Sequence, residues 1–114
     1  MKILVIVEHD NKEIKNATYS CVTAANKIGN EVTCLLLGSD CSGVAQNLKN
    51  LSGVKKVICY DNENFKHQIA ENLSKQIIEL VKDGDYTHIL APSSTFGKNL
   101  LPRVSALLDV HQIS

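Results

Sequence analysis

The chain has 114 residues, of which 44% are hydrophobic and 21% charged, and this fits one globular domain with its own core. Twelve basic and twelve acidic side chains cancel, and Arg103 is the only arginine. The chain therefore lacks the basic field that attracts nucleic acid or anionic lipid, and it lacks the arginines for a bidentate phosphate clamp. No apolar run approaches the roughly 18 residues that a membrane-spanning helix needs. We expect no nucleic-acid partner and no membrane insertion.

Hydrophobic periodicity predicts strands and helices that alternate along the chain. The predicted strands span residues 2–8, 31–37, 55–60 and 86–91, and the predicted helices span residues 16–28, 42–51, 65–82 and 96–108. Asn16 is a candidate N-cap of the first helix and Gly29 a candidate C-terminal stop. Pro102 has no amide hydrogen, so we expect a loose helix start at residues 97–100. Residues 110–114 resemble the opening of a fifth strand that is cut short.

This alternation with short connections predicts an α/β fold with a parallel sheet and helices on both faces, a three-layer Rossmann-like arrangement of the nucleotide-binding type. We expect residues 1–114 to form a single, incomplete α/β domain that is truncated before its last strands. A sheet without those strands would expose an apolar edge, which predicts self-association or poor solubility without a partner. The first residues show neither a secretory signal nor a transit peptide, so we expect a cytoplasmic location.

A candidate anion-binding segment follows the fourth predicted strand. In open α/β sheets, ligands bind beyond the carboxyl ends of the strands, and with strand order 3-2-1-4 the first and fourth loops adjoin. The segment combines hydroxyls, a glycine and a lysine at a helix N-terminus, which favours anions. The candidate cofactor-binding residues are Ser93, Ser94, Thr95, Gly97 and Lys98. Pro92 and Asn99 replace residues that a P-loop requires, so helix capping and packing is the alternative role.

The loop after the first strand contains Glu8, His9 and Asp10, which suggests an acid–base or metal cluster. Consecutive side chains at a strand end point in alternating directions, so these three are not expected to converge on one proton or ion. We expect a solvated loop instead. It lacks the G-x-G-x-x-G fingerprint, and its two carboxylates would repel a pyrophosphate.

The four cysteines are not arranged for metal binding or catalysis. No two of them form a C-x-x-C motif, and no histidine pair lies at the spacing that metal ligands require. We therefore expect small buried thiols. They are Cys21, Cys34, Cys41 and Cys59. His67 is expected on the exposed part of the third helix, and His88 is expected inside a strand. No nucleophile and base are paired in a recognisable pattern, so we predict no catalytic residue and no metal site.

The order of segments resembles the alpha-subunit family of electron transfer flavoproteins. The residues that carry the resemblance are ILVIVEHDN, ATYSCVTAANKIGNEVTCLLLGSD and YTHILAPSSTFGKNLLPRVSALLDVHQIS. The last segment is the most specific. The resemblance covers all 114 residues but only about a third of a usual alpha subunit, and it ends inside the amino-terminal domain of that subunit.

The resemblance implies a lobe of an αβ heterodimer that carries one FAD and one AMP. Such complexes take electrons from acyl-CoA dehydrogenases of fatty acid β-oxidation and related flavoenzymes, and pass them to a membrane-associated quinone reductase. In this family the FAD lies mainly in the carboxyl-terminal domain of the alpha subunit, whose Gly- and Ser-rich cofactor motif does not occur in these 114 residues, and the AMP belongs to the beta subunit. We therefore expect this lobe to be scaffold and interface, with no cofactor and no activity of its own.

The same resemblance assigns roles in folding and interdomain contact, rather than electron transfer, to residues that match the family signature. These are Thr95, Phe96, Gly97, Lys98, Asn99, Pro102 and Arg103. Ser93 departs from the small apolar residue usual in the family, and His111 falls at a variable position.

Two other classes share the fold. A small adenine-nucleotide-binding module of the universal stress protein type would carry a Gly-rich phosphate loop near the final helix, but no G-x-x-G follows Tyr86. A flavodoxin-like FMN carrier would need a Ser/Thr/Gly loop after the first strand, where this chain has HDNKE. The first of these is the alternative to the flavoprotein lobe.

Overall fold

The computed structural model describes residues 2–92, 94–108 and 112–113, and it describes side chains for all of these except residues 95, 96, 98, 105–108, 112 and 113. Strands and helices alternate through this part of the chain. The strands are β1 (Lys2–Ile6), β2 (Glu31–Gly38), β3 (Val54–Asp61), β4 (His88–Leu90) and β5 (Gln112–Ile113). The helices are α1 (Asn16–Ile28), α2 (Ser42–Lys49), α3 (Ala70–Gly84) and α4 (Thr95–Leu108).

The sheet has the order β3-β2-β1-β4-β5, and every neighbouring pair is parallel. This confirms the predicted three-layer α/β fold, and the first four strands follow the usual doubly wound order 3-2-1-4. β1 lies at the centre, between β2 and β4, and its residues 3–6 are apolar and buried, since helices cover both faces of the sheet. The carboxyl ends of all strands therefore lie at one edge of the sheet.

Two hydrophobic clusters fill the space between the sheet and its helices. On one face, Ile3 and Val5 of β1 pack with Val22 of α1 and Leu48 of α2. On the other face, the alternate β1 residues Leu4 and Ile6 join a cluster that includes Leu73 and Ile77 of α3 and Leu100, Leu101 and Val104 of α4. The period-2 alternation of β1 thus divides one apolar run between two cores.

The start of α1 differs from the prediction, although its bounds agree. Lys15 occupies the N-cap position without a side-chain hydrogen bond, and Asn16 is the first helical residue. Gly29 is the C-cap, and its amide donates to the Ala25 carbonyl, as the predicted stop requires.

The third helix begins later than the sequence predicts. Residues Glu63–Phe65 form a 3₁₀ turn, and Gln68 has φ = 54°, so a left-handed residue separates this turn from α3. Ile69 lies inside the predicted range of the helix, but it is the N-cap residue of α3 and is 51% exposed. His67 is exposed, as expected, but it lies before the helix rather than on it.

Helix α4 is continuous from Thr95 to Leu108 and contains Pro102, so the predicted loose start at residues 97–100 is wrong. Proline costs one backbone hydrogen bond inside a helix, and here it lies on the exposed side. Leu100, Leu101 and Val104 are buried around it, so packing against α3 and the sheet offsets that loss. Within the residues that the structure describes, no helix is both long enough and apolar enough to cross a membrane.

Candidate functional site

The loops after β1 and β4 meet at the carboxyl edge of the sheet, as the strand order predicted. Ser94 Oγ donates a hydrogen bond of 3.0 Å to Oε1 of Glu8. The backbone of Glu8 is itself clamped to α1, because its amide donates to Thr18 Oγ1 and its carbonyl accepts from the same hydroxyl, both at 3.0 Å. Thr18 is fully buried, so the carboxylate that faces Ser94 is held from a rigid element.

His9 is buried, which contradicts the expected solvated loop. Only 5% of the residue is exposed, and both ring nitrogens have partners. Nε2 lies 2.8 Å from the Leu37 carbonyl, and Nδ1 accepts a hydrogen bond of 2.9 Å from the Asn11 amide. Since a carbonyl requires a donor and an amide requires an acceptor, the ring is neutral with its proton on Nε2. Burial lowers the pKa of His9 below its ordinary value, which keeps the ring uncharged.

Asn11 connects three loops at this edge. Its Oδ1 accepts from the Ser39 amide at 2.9 Å, and its Nδ2 donates to the Lys66 carbonyl at 3.0 Å. Its backbone has φ = 70°, in the left-handed region that Asn tolerates better than most residues. Gly38 allows the side chains of His9 and Asn11 to lie close to the end of β2. A Cβ at that position would lie 2.7 Å from Cε1 of His9 and 2.8 Å from Oδ1 of Asn11.

Carboxylates accept hydrogen bonds from the other loop amides. Asp10 Oδ1 accepts from the amides of Lys12 and Glu13 at 3.0 and 2.7 Å, and these backbone hydrogen bonds lower the pKa of Asp10. In the next loop, Asp61 accepts from the amides of Asp40 and Cys41 at 2.8 and 3.2 Å. Amides of this kind could bind a phosphate, but here the chain supplies its own anions.

The side chains of Glu8, His9 and Asp10 do not converge, as the alternation of a strand end predicts. Glu8 contacts Ser94, His9 contacts Leu37, and Asp10 contacts the amides of its own loop. Among the described residues, no group of three His, Cys, Asp or Glu side chains could hold a metal ion.

The structure describes only part of the predicted anion-binding segment. Ser93 lies outside the described residues, as do the side chains of Thr95, Phe96 and Lys98. Gly97 is buried in the first turn of α4, where a Cβ would stand 1.8 Å from the Pro92 carbonyl oxygen. That glycine is required for the close approach of α4 to the end of β4. The role of the segment in binding a cofactor stays a prediction.

Three residues of the family signature that lie further along α4 are exposed, whereas Gly97 is buried. Asn99, Pro102 and Arg103 are exposed on the helix. They are therefore accessible to another domain or subunit. His111 lies outside the described residues.

Sequence reasoning missed two polar side chains that shape this edge, Asn11 and Gln68. Gln68 Nε2 donates to the carbonyls of Leu37 and Phe65, both at 2.6 Å, so Leu37 accepts from two side chains. Both residues have positive φ, which no hydrophobic pattern reports. The sequence signal that could have identified them is that both are polar residues in loops beyond the strand ends.

One cysteine is not buried as expected. Cys21, Cys34 and Cys41 are buried, but Cys59 is exposed on β3, which is at the edge of the sheet. An edge strand lacks a neighbour on one side, so an apolar run there does not ensure burial.

The fold and this edge together define a parallel α/β domain of the nucleotide-binding type in which side chains of the chain accept hydrogen bonds from amides of the loops after β1 and β2. The profile of the electron transfer flavoprotein domain family matches residues 3–114. The chain belongs to this family.

Individual relatives are alpha subunits. The mitochondrial electron transfer flavoprotein subunit alpha of Dictyostelium discoideum is 46% identical over 117 residues, which cover 97% of this chain and 33% of that protein. The Pseudomonas aeruginosa electron transfer flavoprotein subunit alpha is 47% identical over 114 residues, which cover 100% of this chain and 36% of that protein. A probable mitochondrial electron transfer flavoprotein subunit alpha of Caenorhabditis elegans is 39% identical over 111 residues, which cover 97% of this chain and 33% of that protein. The chain spans about a third of the length of these relatives.

Proposed function

We propose that this chain is the amino-terminal scaffold and interface domain of an electron transfer flavoprotein alpha subunit. In this role it pairs with a beta subunit, and the complex carries electrons on FAD from acyl-CoA and related dehydrogenases to a quinone reductase. Family membership supports the class of protein. The observation that carries the scaffold role is the set of carboxylates that occupy the loop amides at the carboxyl edge of the sheet.

The described residues of the first two loops do not fit a dinucleotide pyrophosphate. Asp10 and Asp61 already accept hydrogen bonds from the amides that such a group would use, and Glu8 adds a third carboxylate beside Ser94. A phosphate at this edge would have to displace these contacts and would meet negative charge. We therefore assign FAD to the carboxyl-terminal domain of the alpha subunit and AMP to the beta subunit, with neither held by this lobe.

The exposed residues of α4 support an interface role. Asn99, Pro102 and Arg103 lie on the accessible side of a helix whose opposite side is buried against α3 and the sheet. They belong to the segment that carries the family signature, and their side chains are not needed to fill the core. This is the pattern expected of residues that contact a neighbouring domain or subunit.

The alternative is an adenine-nucleotide-binding module of the universal stress protein type. It is not favoured, because the relatives are alpha subunits and because Ser94 donates to Glu8. A hydroxyl that contacts a fixed carboxylate is poorly placed to contact a phosphate.

Thermal melts of the full chain with excess AMP, ATP or FAD separate the two functions. A ligand at about 100 times its dissociation constant stabilises the native state by about 2.7 kcal/mol, which shifts the melting temperature of a domain of this size by several degrees. The scaffold role predicts no shift with any of the three. A shift with AMP or ATP would favour the nucleotide-binding module, and a shift with FAD alone would place part of the flavin site in this lobe.

Binding of a purified electron transfer flavoprotein beta subunit tests the interface directly, by analytical ultracentrifugation of the two chains together. Two exposed apolar side chains on opposite faces of the sheet provide matched variants: Tyr19 of α1 is 41% exposed, and Ile69, before α3, is 51% exposed. Ile69→Ser and Tyr19→Ser remove similar apolar area from different faces, so a beta subunit that docks on one face loses affinity with one variant only. Failure of the unsubstituted chain to bind any beta subunit would contradict the proposed function.

A further inference from the structure

Two thiols lie side by side where α2 meets the edge strand β3. Cys41 immediately precedes α2, Cys59 lies near the end of β3, and their Sγ atoms are 3.8 Å apart. A disulfide bond has an S–S length of about 2.05 Å, so the two sulfurs need to approach by less than 2 Å. A change of rotamer at a cysteine moves its sulfur by a distance of that order.

The two thiols differ in access, and this difference gives each a distinct chemical role. Cys59 is exposed and can meet a reagent in solution, while Cys41 is buried behind it. Burial, with Cys59 and Asp61 beside it, raises the pKa of Cys41 to about 12, so its thiol does not ionise readily on its own. The exposed thiol is therefore the one that reacts first.

We propose that Cys59 and Cys41 form a dithiol modification site that reacts with low-molecular-weight disulfides such as glutathione disulfide. The Cys59 thiolate attacks one sulfur of the small disulfide, forms a mixed disulfide, and releases one small thiolate. Cys41 Sγ then attacks Cys59 Sγ and breaks the mixed disulfide, and the Cys41 proton passes to the departing small thiolate, which leaves as the second small thiol. The two protein thiols are oxidised to one disulfide, and the small disulfide is reduced to two thiols.

The surroundings of Cys41 leave it space and hold it in position for this second step. Gly38 leaves space beside the thiol, because a Cβ at position 38 would lie 3.0 Å from Cys41 Sγ. The Cys41 amide is held by Asp61 Oδ2 at 3.2 Å, and Asp61 ends the strand that carries Cys59. The backbone of Cys41 is thus already tied to β3, and the disulfide would add a covalent link to an existing contact.

The bond would fasten the start of α2 to the edge of the sheet. It would also fix the loop that contains Ser39, whose amide binds Asn11. The modification site thereby connects the redox state of small thiols to the rigidity of the carboxyl edge. The link is reversible, because small thiols can reduce it by the same exchange.

Mass spectrometry of the folded chain treated with glutathione disulfide tests the proposal. We expect free thiols to fall from four to two, with a crosslink between peptides that contain Cys41 and Cys59 and with full recovery of thiols after dithiothreitol. Cys59→Ser changes an exposed position and should abolish both the crosslink and the mixed disulfide. Cys41→Ala should retain the mixed disulfide on Cys59 and accumulate it, because no second thiol resolves it.

Cys34→Ala is the matched control. Cys34 is buried and lies on the same tryptic peptide as Cys41, so retention of the crosslink in this variant assigns it to Cys41. The proposal is overturned by a stable mixed disulfide on Cys59 without a crosslink, by no reaction at Cys59, or by a crosslink between two chains. A thermal melt of each variant before treatment establishes that it is folded.

Discussion

The loop after β1 and the junction between β4 and α4 occupy neighbouring places at the same edge of the sheet, but they are held in different ways. Polar side chains hold the first, since His9 and Asn11 satisfy backbone groups in three loops. Close backbone packing holds the second, where Gly97 brings α4 against the Pro92 carbonyl. Topology places both loops where ligands bind in such folds, but only their side chains decide whether amides remain available for a ligand.

Gly97→Ala should give the largest effect and would break the β4–α4 junction. The new Cβ would stand 1.8 Å from the Pro92 carbonyl oxygen, a backbone atom that cannot rotate away, so α4 must shift. We expect a loss of about 3 kcal/mol in the free energy of unfolding, measured by urea denaturation.

Gly43→Ala is the matched control for this substitution. Gly43 also lies in a helix, and a Cβ there meets no atom within 4 Å. We expect a gain of about 0.5–1 kcal/mol, from the higher helix propensity of alanine. Equal effects of the two substitutions would show that close packing does not hold the junction.

Asn11→Ala should give the next largest effect, at the loop that polar side chains hold. The variant loses two hydrogen bonds and places alanine at φ = 70°, for a combined cost of about 2 kcal/mol in chemical denaturation. Asn11→Gly loses the same hydrogen bonds but tolerates the backbone, so it should be more stable than Asn11→Ala by about 1 kcal/mol. If the two variants are equally stable, the left-handed backbone at position 11 does not account for any of the stability lost in Asn11→Ala.

Ser94→Ala tests the one described side-chain contact between the two loops. Loss of the hydrogen bond to Glu8 should cost about 1 kcal/mol, and a double-mutant cycle with Glu8→Ala isolates the interaction. Ser20→Ala, at an exposed position on α1, should change stability by less than about 0.5 kcal/mol. A zero coupling energy in the cycle would mean that the two loops are held independently.

The smallest effect we expect is a pH dependence from His9. Burial lowers its pKa in the folded state below the value of 6.5 that applies when it is exposed, so the unfolded chain binds the proton first as pH falls. The contribution of His9 to stability is therefore complete above that pH and is lost below it. Asp10, whose pKa is lowered from 3.8, adds a separate loss in more acidic solution.

Urea midpoints measured between about pH 7.5 and pH 5 should fall for the unsubstituted chain and fall less for His9→Gln. His67→Gln, at an exposed position, should follow the unsubstituted chain. Parallel pH profiles for the unsubstituted chain and His9→Gln would show that His9 is not buried in its neutral form.

The sequence predicted most of the fold because the apolar periods are clear. The bounds of α1 agree with the prediction, and the parallel sheet with helices on both faces follows from right-handed crossovers with short connections. The errors lie where local propensity and tertiary packing disagree. Pro102 suggested a loose helix start, but its buried neighbours keep α4 continuous, and the left-handed backbone of Gln68 delays the start of the third helix to Ala70.

The candidate site was predicted in position but not in detail. The adjacency of the first and fourth loops, and the divergence of Glu8, His9 and Asp10, both follow from strand geometry. The burial of His9 does not, because it depends on a carbonyl of β2 and an amide two residues further along the loop. Whether Ser93, Thr95 and Lys98 contact any ligand stays a prediction.

The sequence by itself determined the α/β class and the family, because these depend on periodic burial and on residues that are contiguous along the chain. Only the tertiary structure decided which loop amides are occupied and which two of the four thiols are neighbours. Those contacts join residues far apart in sequence, such as Asp40 with Asp61 and Cys41 with Cys59. Distances of a few ångströms between side chains on different elements are set by packing, and a one-dimensional pattern does not contain them.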